Sequence, residues 1–202
     1  MNYATIKKFD IANGPGVRVS LFVSGCRHKC KNCFNSEAWD FGYGDEFTDD
    51  TLNELLDALN LDYIEGFSLL GGEPFEPQNQ RSLLPFVKRV REAYPNKNIW
   101  AFTGFTLEQL LEKEPHPRCE VTDELLSLVD VLVDGRFILA KKNIRLRFRG
   151  SENQRIINLP ESLKTIESQA FTNCVALEKV NIPKHVTSLG SSAFKGCEIL
   201  ET

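Results

Sequence analysis

"GVRVSLFVSGCRHKCKNCF", residues 16–34, decides the reading of this chain. Its first half is an apolar run that ends in Ser24 and Gly25, the pattern of a buried β-strand. Its second half places Cys26, Cys30 and Cys33 in one short loop, three of the six cysteines in the chain. Most metal and cluster sites built from cysteine use four ligands, so three thiols without a fourth raise a question of coordination. A structural zinc would recruit His28, His116 or Cys119 as the fourth ligand, although His28 lies so close to Cys26 and Cys30 that a tetrahedral site is strained. A cubane cluster held by three thiolates fits the spacing and leaves one iron open to a substrate.

Three further apolar runs resemble the first: "GFSLLGG" (66–72), "NIWAFTG" (98–104) and "DVLVDG" (130–135). Each reads as a buried strand ending in glycine or a small polar residue. Helical patterns lie between them. In "DDTLNELLDALN", Leu52, Leu55, Leu56 and Leu59 share one helix face, and Leu83, Leu84, Val87 and Val90 do the same in "QRSLLPFVKRVREAY". Thr106 and Gln109 form a capping box for a third helix, and "TDELLSLV" precedes the last strand. Strand–helix alternation predicts parallel strands under covering helices, an α/β fold with either an open sheet or a barrel. In such folds the C-terminal strand ends face one common site. The cysteine loop, "GGEP" (Gly71, Gly72, Glu73, Pro74), Thr103–Gly104 and Asp134–Gly135 therefore converge there.

Past residue 157 the pattern changes. "LPESLKTIESQAFTNCVALEK" (159–179) aligns with "IPKHVTSLGSSAFKGCEILET" (182–202), with Pro160/Pro183, Ser168/Ser191, Ala170/Ala193, Phe171/Phe194, Cys174/Cys197, Leu177/Leu200 and Glu178/Glu201 coinciding. A period in the twenties with apolar residues in fixed register is the mark of a leucine-rich solenoid. The segment resembles BspA-type repeats with their "AFxxCxxL" core, and a short solenoid fragment is expected over 158–202. Cys174 and Cys197 are expected to be packed core thiols.

The composition bounds the function. Hydrophobic residues make up 42% of the 202 and charged residues 26%, as in globular proteins. A net charge of −4 gives no overall attraction to nucleic acid or anionic membrane. "MNYATIKKFD" has no signal-peptide core, and no apolar run is long enough to span a bilayer, so a cytoplasmic setting with reduced thiols is expected.

The cysteine loop, placed after a first strand and with "GGEP" after a later one, resembles the radical S-adenosylmethionine superfamily. "NGPGVRVSLFVSGC", "CFN", "LLGGEPF", "DVLVDGRF" and "LRFRGSENQRII" resemble, within it, the activating proteins of anaerobic ribonucleoside-triphosphate reductase, over residues 1–157. The resemblance implies a partial (β/α) barrel. It implies that Cys26, Cys30 and Cys33 ligate a 4Fe–4S cluster whose fourth iron is chelated by S-adenosylmethionine. Gly71, Gly72, Glu73 and Pro74 would contact the methionine portion, and Asn32, Cys33 and Phe34 the adenine side. No catalytic residue is implied beyond these. An electron from a donor such as flavodoxin would split S-adenosylmethionine, and the 5′-deoxyadenosyl radical would take a hydrogen from a glycine of the reductase. An activase of another glycyl-radical enzyme, of the pyruvate formate-lyase type, is a second reading. A non-catalytic protein that binds partners through its repeats is a third.

Several residues carry double readings. Thr103 and Asp134 are either pocket wall or helix caps. His28 is expected to be solvated or to stand behind the cluster. Cys119 reads as a free surface thiol. "GRFILAKKNIRLRFRG" (135–150) holds six cations and no acid. If 144–149 is extended, Arg145, Arg147 and Arg149 share one face, as a charged strand edge, as a docking surface for an acidic patch on the reductase, or as a ligand contact near the barrel mouth. "SENQR", with Asn153 and Arg155, has no assigned chemistry.

Overall fold

The chain opens with two antiparallel strands, Asn2–Asp10 (β1) and Val17–Val23 (β2), in a computed structural model whose described residues are 1–112, 117–159, 165–166, 168–175 and 188–197. Asp45–Glu46 (β3) pairs with the outer edge of β1. From β2 onward, helical crossovers link the strands. Asp49–Leu59 (α1) leads to Ile64–Gly71 (β4), and Pro77–Ala93 (α2) leads to Asn98–Phe102 (β5). Leu107–Leu111 (α3) and Thr122–Ser127 (α4) lead to Val131–Asp134 (β6), and Arg155–Asn158 (β7) returns antiparallel. The strands form one open sheet in the order β3-β1-β2-β4-β5-β6-β7, with β2, β4, β5 and β6 parallel. The α/β class expected from the alternation holds, and these four parallel strands are the ones read from the sequence. β1, β3 and β7 are additions to it.

Every crossover steps in the same direction across the sheet. Right-handed crossovers that do so put all their helices on one face. The core reflects this: Val19, Leu21, Phe67, Leu69, Ile99 and Leu132 bury against Leu52, Leu55, Leu83, Val87 and Leu125 of the helices. Full burial of each such side chain contributes roughly 1.5–3 kcal/mol. The alternate residues Trp100, Val131 and Val133 form a separate cluster with Phe102 and Phe148 on the opposite face. The capping box at Thr106 and Gln109 is present, with Gln109 N–H donating to Thr106 Oγ1 and Gln109 Oε1 accepting from Thr106 N–H.

On the face away from the helices, β2 buries Arg18 completely. Its Nε donates to Ser68 Oγ (2.7 Å), its Nη1 to Asn98 Oδ1 (2.7 Å) and Pro15 O (3.3 Å), and its Nη2 to Phe67 O (2.7 Å) and Asn98 O (3.1 Å). Five bonds use the five donors of a guanidinium. Burial pulls its pKa down to about 10, which still leaves it charged at neutral pH. Arg18 therefore ties the starts of β2, β4 and β5 to the Asn13–Gly16 turn. Arg18→Leu is expected to lower stability by roughly 3–5 kcal/mol, because it strands several buried acceptors at once. Urea unfolding checks this, and an unchanged midpoint would show the clamp to be dispensable.

The chain divides into two compact units, Met1–Leu159 and Pro160–Thr202. In the second, Thr165–Ile166 (β8) and Ser188–Leu189 (β9) pair in parallel, Thr165 opposite Ser188 and Ile166 opposite Leu189. Phe171 and Phe194 stack at 5.0 Å, and Phe171 N–H donates to Ala193 O. Contacts thus repeat at the sequence period. Cys174 is exposed and Cys197 half-buried, with its thiol 3.1 Å from Phe171 O, so the described pair is less packed than expected of core thiols. Pro160, Pro183, Leu177, Leu200, Glu178 and Glu201 lie outside the described residues, as does His116. Among the described residues no helix is long and apolar enough to cross a membrane.

Candidate functional site

The three cysteines sit in the loop that leaves the C-terminal end of β2. Cys26 is buried, while Cys30 and Cys33 are half-buried, and all three are free thiols. Gly25 N–H donates to Ala38 O and Cys26 N–H to Trp39 O, which fixes the loop at its root. Lys29 (φ 46°) and Asn32 (φ 59°) adopt left-handed backbone between the cysteines and curl the chain. Among the described residues no group of three or more His, Cys, Asp or Glu is gathered to hold a metal ion. His28, one of the zinc candidates, is paired with Glu73 in this structure.

What organises the loop is Glu73, a contribution that the sequence does not announce. Its side chain is buried and both carboxylate oxygens are used. Oε1 accepts from Phe75 N–H (2.9 Å) and Thr103 Oγ1 (2.8 Å); Oε2 accepts from Gly104 N–H (2.7 Å) and pairs with His28 Nε2 (3.1 Å). One carboxylate thus joins the cysteine loop to the ends of β4 and β5. His28 is not solvated: its ring lies 4.3 Å from that of Phe105, and a Cβ on Gly104 would come within 2.5 Å of it. Gly104 is small because His28 packs there. A second buried carboxylate, Glu76, accepts from Arg27 N–H (3.1 Å) and from its guanidinium. Arg136 Nη2 donates to His28 O (2.6 Å), so the loop after β6 also grips the cysteine loop.

The glycines of "GGEP" serve close backbone packing. A Cβ on Gly71 (φ 108°) would meet the Phe22 backbone at 2.7 Å, and one on Gly72 would meet Gly25 O at 2.7 Å. Gly72 N–H donates to Val23 O and Glu73 N–H to Gly25 O, which occupies two of the main-chain donors expected to face a ligand. Glu73 and Pro74 are buried, Gly71 and Gly72 half-buried. Asn32 is exposed and Phe34 is 93% exposed, on the outer rim of the loop. Thr103 belongs to the Glu73 network. Asp134 is a cap: Oδ2 accepts from Leu107 N–H (2.7 Å) at the start of α3, and Oδ1 accepts from Arg155 Nε (2.9 Å). Cys119 is half-buried beside Thr122.

Arg155 of "SENQR" bridges Asp134 and Glu108, donating from Nη1 to Glu108 Oε1 at 3.0 Å. Its hydrogen bonds hold the Glu108 carboxyl down at about 2, against its ordinary 4.5. A lowered folded value means stability that is present above pH 4.5 and is lost as pH falls toward 2. Glu108 is mostly exposed, so the effect stays below about 1 kcal/mol. Arg155→Ala is expected to shrink the acid-induced drop in stability between pH 5 and pH 3, measured by urea midpoints. An identical drop in the variant contradicts it.

The residues present suit a cluster. Burial first, then Glu73 and Cys30, pushes the Cys26 thiol up to about 12, so a metal ion that binds this sulfur displaces its proton. Ser24 Oγ, buried one residue before Gly25 at the same strand end, has no hydrogen-bond partner. Three thiols on one loop braced from three strand ends have the ligand chemistry that an iron–sulfur cluster takes from its protein. The sequence agrees: residues 12–157 match the 4Fe-4S single cluster domain, and 145–202 match the BspA type leucine rich repeat region.

The relatives narrow the class. An anaerobic ribonucleoside-triphosphate reductase-activating protein of Enterobacteria phage T4 is 40% identical over 158 residues, covering 77% of this chain and 93% of its own. Proteins of the same name from Haemophilus influenzae (40% over 158 residues, 97% of its length) and Escherichia coli K12 (39% over 161, 99%) match equally well. The chain belongs to the family of anaerobic ribonucleoside-triphosphate reductase-activating proteins.

Proposed function

We propose that this chain activates an anaerobic ribonucleoside-triphosphate reductase by generating a glycyl radical on it. Cys26, Cys30 and Cys33 would hold a 4Fe–4S cluster, with S-adenosylmethionine bound beside it. When bound, this pair would supply one-electron cleavage of the sulfonium C–S bond, releasing methionine and a 5′-deoxyadenosyl radical that takes a hydrogen from a glycine of the reductase and leaves as 5′-deoxyadenosine. A one-electron donor such as flavodoxin supplies the electron, and the setting is the cytoplasm.

The chain's own residues hold the geometry. Glu73 fixes the cysteine loop through His28, and Glu76 fixes it through Arg27. Gly71, Gly72, Glu73 and Pro74 line the methionine side. Asn32, Cys33 and Phe34 form the adenine side. The carrying observation is the Glu73 network, which brings the cysteine loop and the ends of β4 and β5 together although they are far apart in sequence.

Two finer points of architecture belong to the same reading. The one-way strand order supports an incomplete (β/α) barrel over residues 1–157. The stacked phenylalanines and the β8–β9 register support a leucine-rich solenoid fragment over 158–202.

The test is anaerobic. The chain is loaded with iron and sulfide, reduced, and mixed with S-adenosylmethionine and reductase. 5′-Deoxyadenosine and a glycyl-radical signal in electron paramagnetic resonance are expected together. Cleavage without a radical on this reductase would point to a different glycyl-radical enzyme, and a colourless protein without cleavage would overturn the enzyme reading.

A further inference from the structure

The 20-residue connection between β6 and β7 is not the strand edge that its alternating sequence suggests. Phe148 takes a left-handed backbone (φ 58°), and 143–150 closes into a loop, with Asn143 N–H donating to Gly150 O and Glu152 N–H to Lys141 O. The "SENQR" segment braces this loop from inside. Gln154 Oε1 accepts from Gly150 N–H (2.8 Å) and Ser151 N–H (3.1 Å), while its Nε2 donates to Gly135 O (2.9 Å). Ser151 is fully buried, and its Oγ accepts from Ile138 N–H; Asn153 Nδ2 donates to Arg136 O. Arg149 is drawn in to Gln154 O, and Phe148 packs edge-on against Trp100 at 5.4 Å, on the sheet face away from the helices.

So much internal bonding holds a tip that itself bonds to little. Lys141, Lys142, Arg145 and Arg147 are exposed, and none forms an ion pair among the described residues. Ile144, between them, is 89% exposed. Arg147 and Phe148 also wall a cleft of about 530 Å³ whose other side is Ile11, Gly14, Pro15, Gly16 and Val17, with no acid in its lining. In a chain of net charge −4, four unpaired cations around one exposed isoleucine are a local reversal of sign. The acid at the base of the tip, Glu152, accepts from Asn143 Nδ2 at 3.0 Å and forms no ion pair with them among the described residues. Charge complementarity asks for an acidic partner surface with an apolar socket. A preformed tip also loses little conformational entropy on docking.

We infer that the braced tip, residues 141–147, docks onto an acidic surface of the reductase, with Ile144 seated in an apolar socket there. The inference rests on the proposed function. Arg136, at the start of the same connection, donates to His28 O, so the connection that carries the tip also touches the cysteine loop.

The test uses the full cluster-loaded chain, a variant with Lys141, Lys142, Arg145 and Arg147 each replaced by Glu, and a single variant Ile144→Asp. Binding to the reductase is measured anaerobically by surface plasmon resonance at several salt concentrations. The four-charge variant is expected to bind on the order of 100-fold more weakly, mainly through slower association, and to lose most of the salt dependence. Ile144→Asp is expected to bind roughly 10-fold more weakly, chiefly through faster dissociation. Iron content, melting temperature and 5′-deoxyadenosine formation without reductase are expected to match the parent in both. Parent-like affinity and salt dependence in the four-charge variant overturn the docking assignment alone. A parent chain that neither cleaves S-adenosylmethionine nor binds the reductase overturns the functional reading, and the docking with it.

Discussion

Replacing Cys30 by alanine is expected to remove the cluster and, with it, S-adenosylmethionine cleavage, while the fold survives. The argument lies in where the three thiols sit. Cys26 is buried at the strand end, and its substitution would disturb packing as well as ligation. Cys30 is half-buried in the loop, and its side chain appears in no hydrogen bond of the described residues. Truncating it therefore costs about 1 kcal/mol or less in stability. With two thiols left, a cubane has lost a protein ligand outright, a larger change than the outer-shell substitutions that weaken metal sites by 10–100-fold. Iron content after reconstitution and 5′-deoxyadenosine yield are both expected to fall by on the order of 100-fold or more, with a melting curve like that of the apo parent. Cys119→Ala should leave all three unchanged. A Cys30→Ala protein that still holds iron and cleaves S-adenosylmethionine would falsify the ligand set.

The second large effect is expected at Glu73, and it works through positioning. Glu73→Gln conserves volume but converts one carboxylate oxygen into an NH₂ group. In either orientation that group faces a backbone N–H: Phe75 on one side, Gly104 on the other. His28 can change tautomer and Thr103 can turn its hydroxyl, but a main-chain donor cannot adapt. One buried N–H is left unpaired at a cost of roughly 2–3 kcal/mol, or about 5–10 °C in melting temperature for a unit of this size. The cysteine loop loses its tie to the end of β5, so iron retention is expected to fall 10–100-fold. Glu73→Asp, which keeps the charge but shortens the reach, should recover part of the stability and little of the iron. The observation that would sink this is a Glu73→Gln protein with parental melting temperature and parental iron content. A merely structural role would lower the melting temperature and leave iron binding to the folded fraction intact.

The strands that build the site were legible because they are buried on both faces and so read as unbroken apolar runs. β1 was not, since "NYATIKKFD" is largely exposed or half-buried and lacks a clean alternation. Residues 144–149 misled for the opposite reason. Arg–apolar alternation there has the period of a strand, yet side-chain amides from Asn143 and Gln154 satisfy the backbone and close a loop instead. The cysteines and "GGEP" could be read as a site from local spacing. The reason for Glu73 could not, because its partners His28, Thr103 and Gly104 lie far away along the chain and meet it only when β2, β4 and β5 are side by side. The same holds for Asp134, whose double reading is resolved by a helix start in the preceding crossover and an arginine in the return strand. Motif spacing names the atoms that meet a ligand; second contacts that hold them are written in topology.

The unclosed sheet has one more implication. Within Met1–Leu159 the helices shelter only one side of it, and a reactive radical needs surroundings that exclude water and stray hydrogen donors. A cylinder of eight strands would supply that wall itself; this sheet leaves it to be supplied by whatever binds. On the proposed function, timing becomes a property of assembly: the Met1–Leu159 unit is expected to work as half of a reaction vessel that the substrate protein completes. Turnover before docking would be uncoupled and wasteful, so selection is expected to act on the order of events as strongly as on the chemistry.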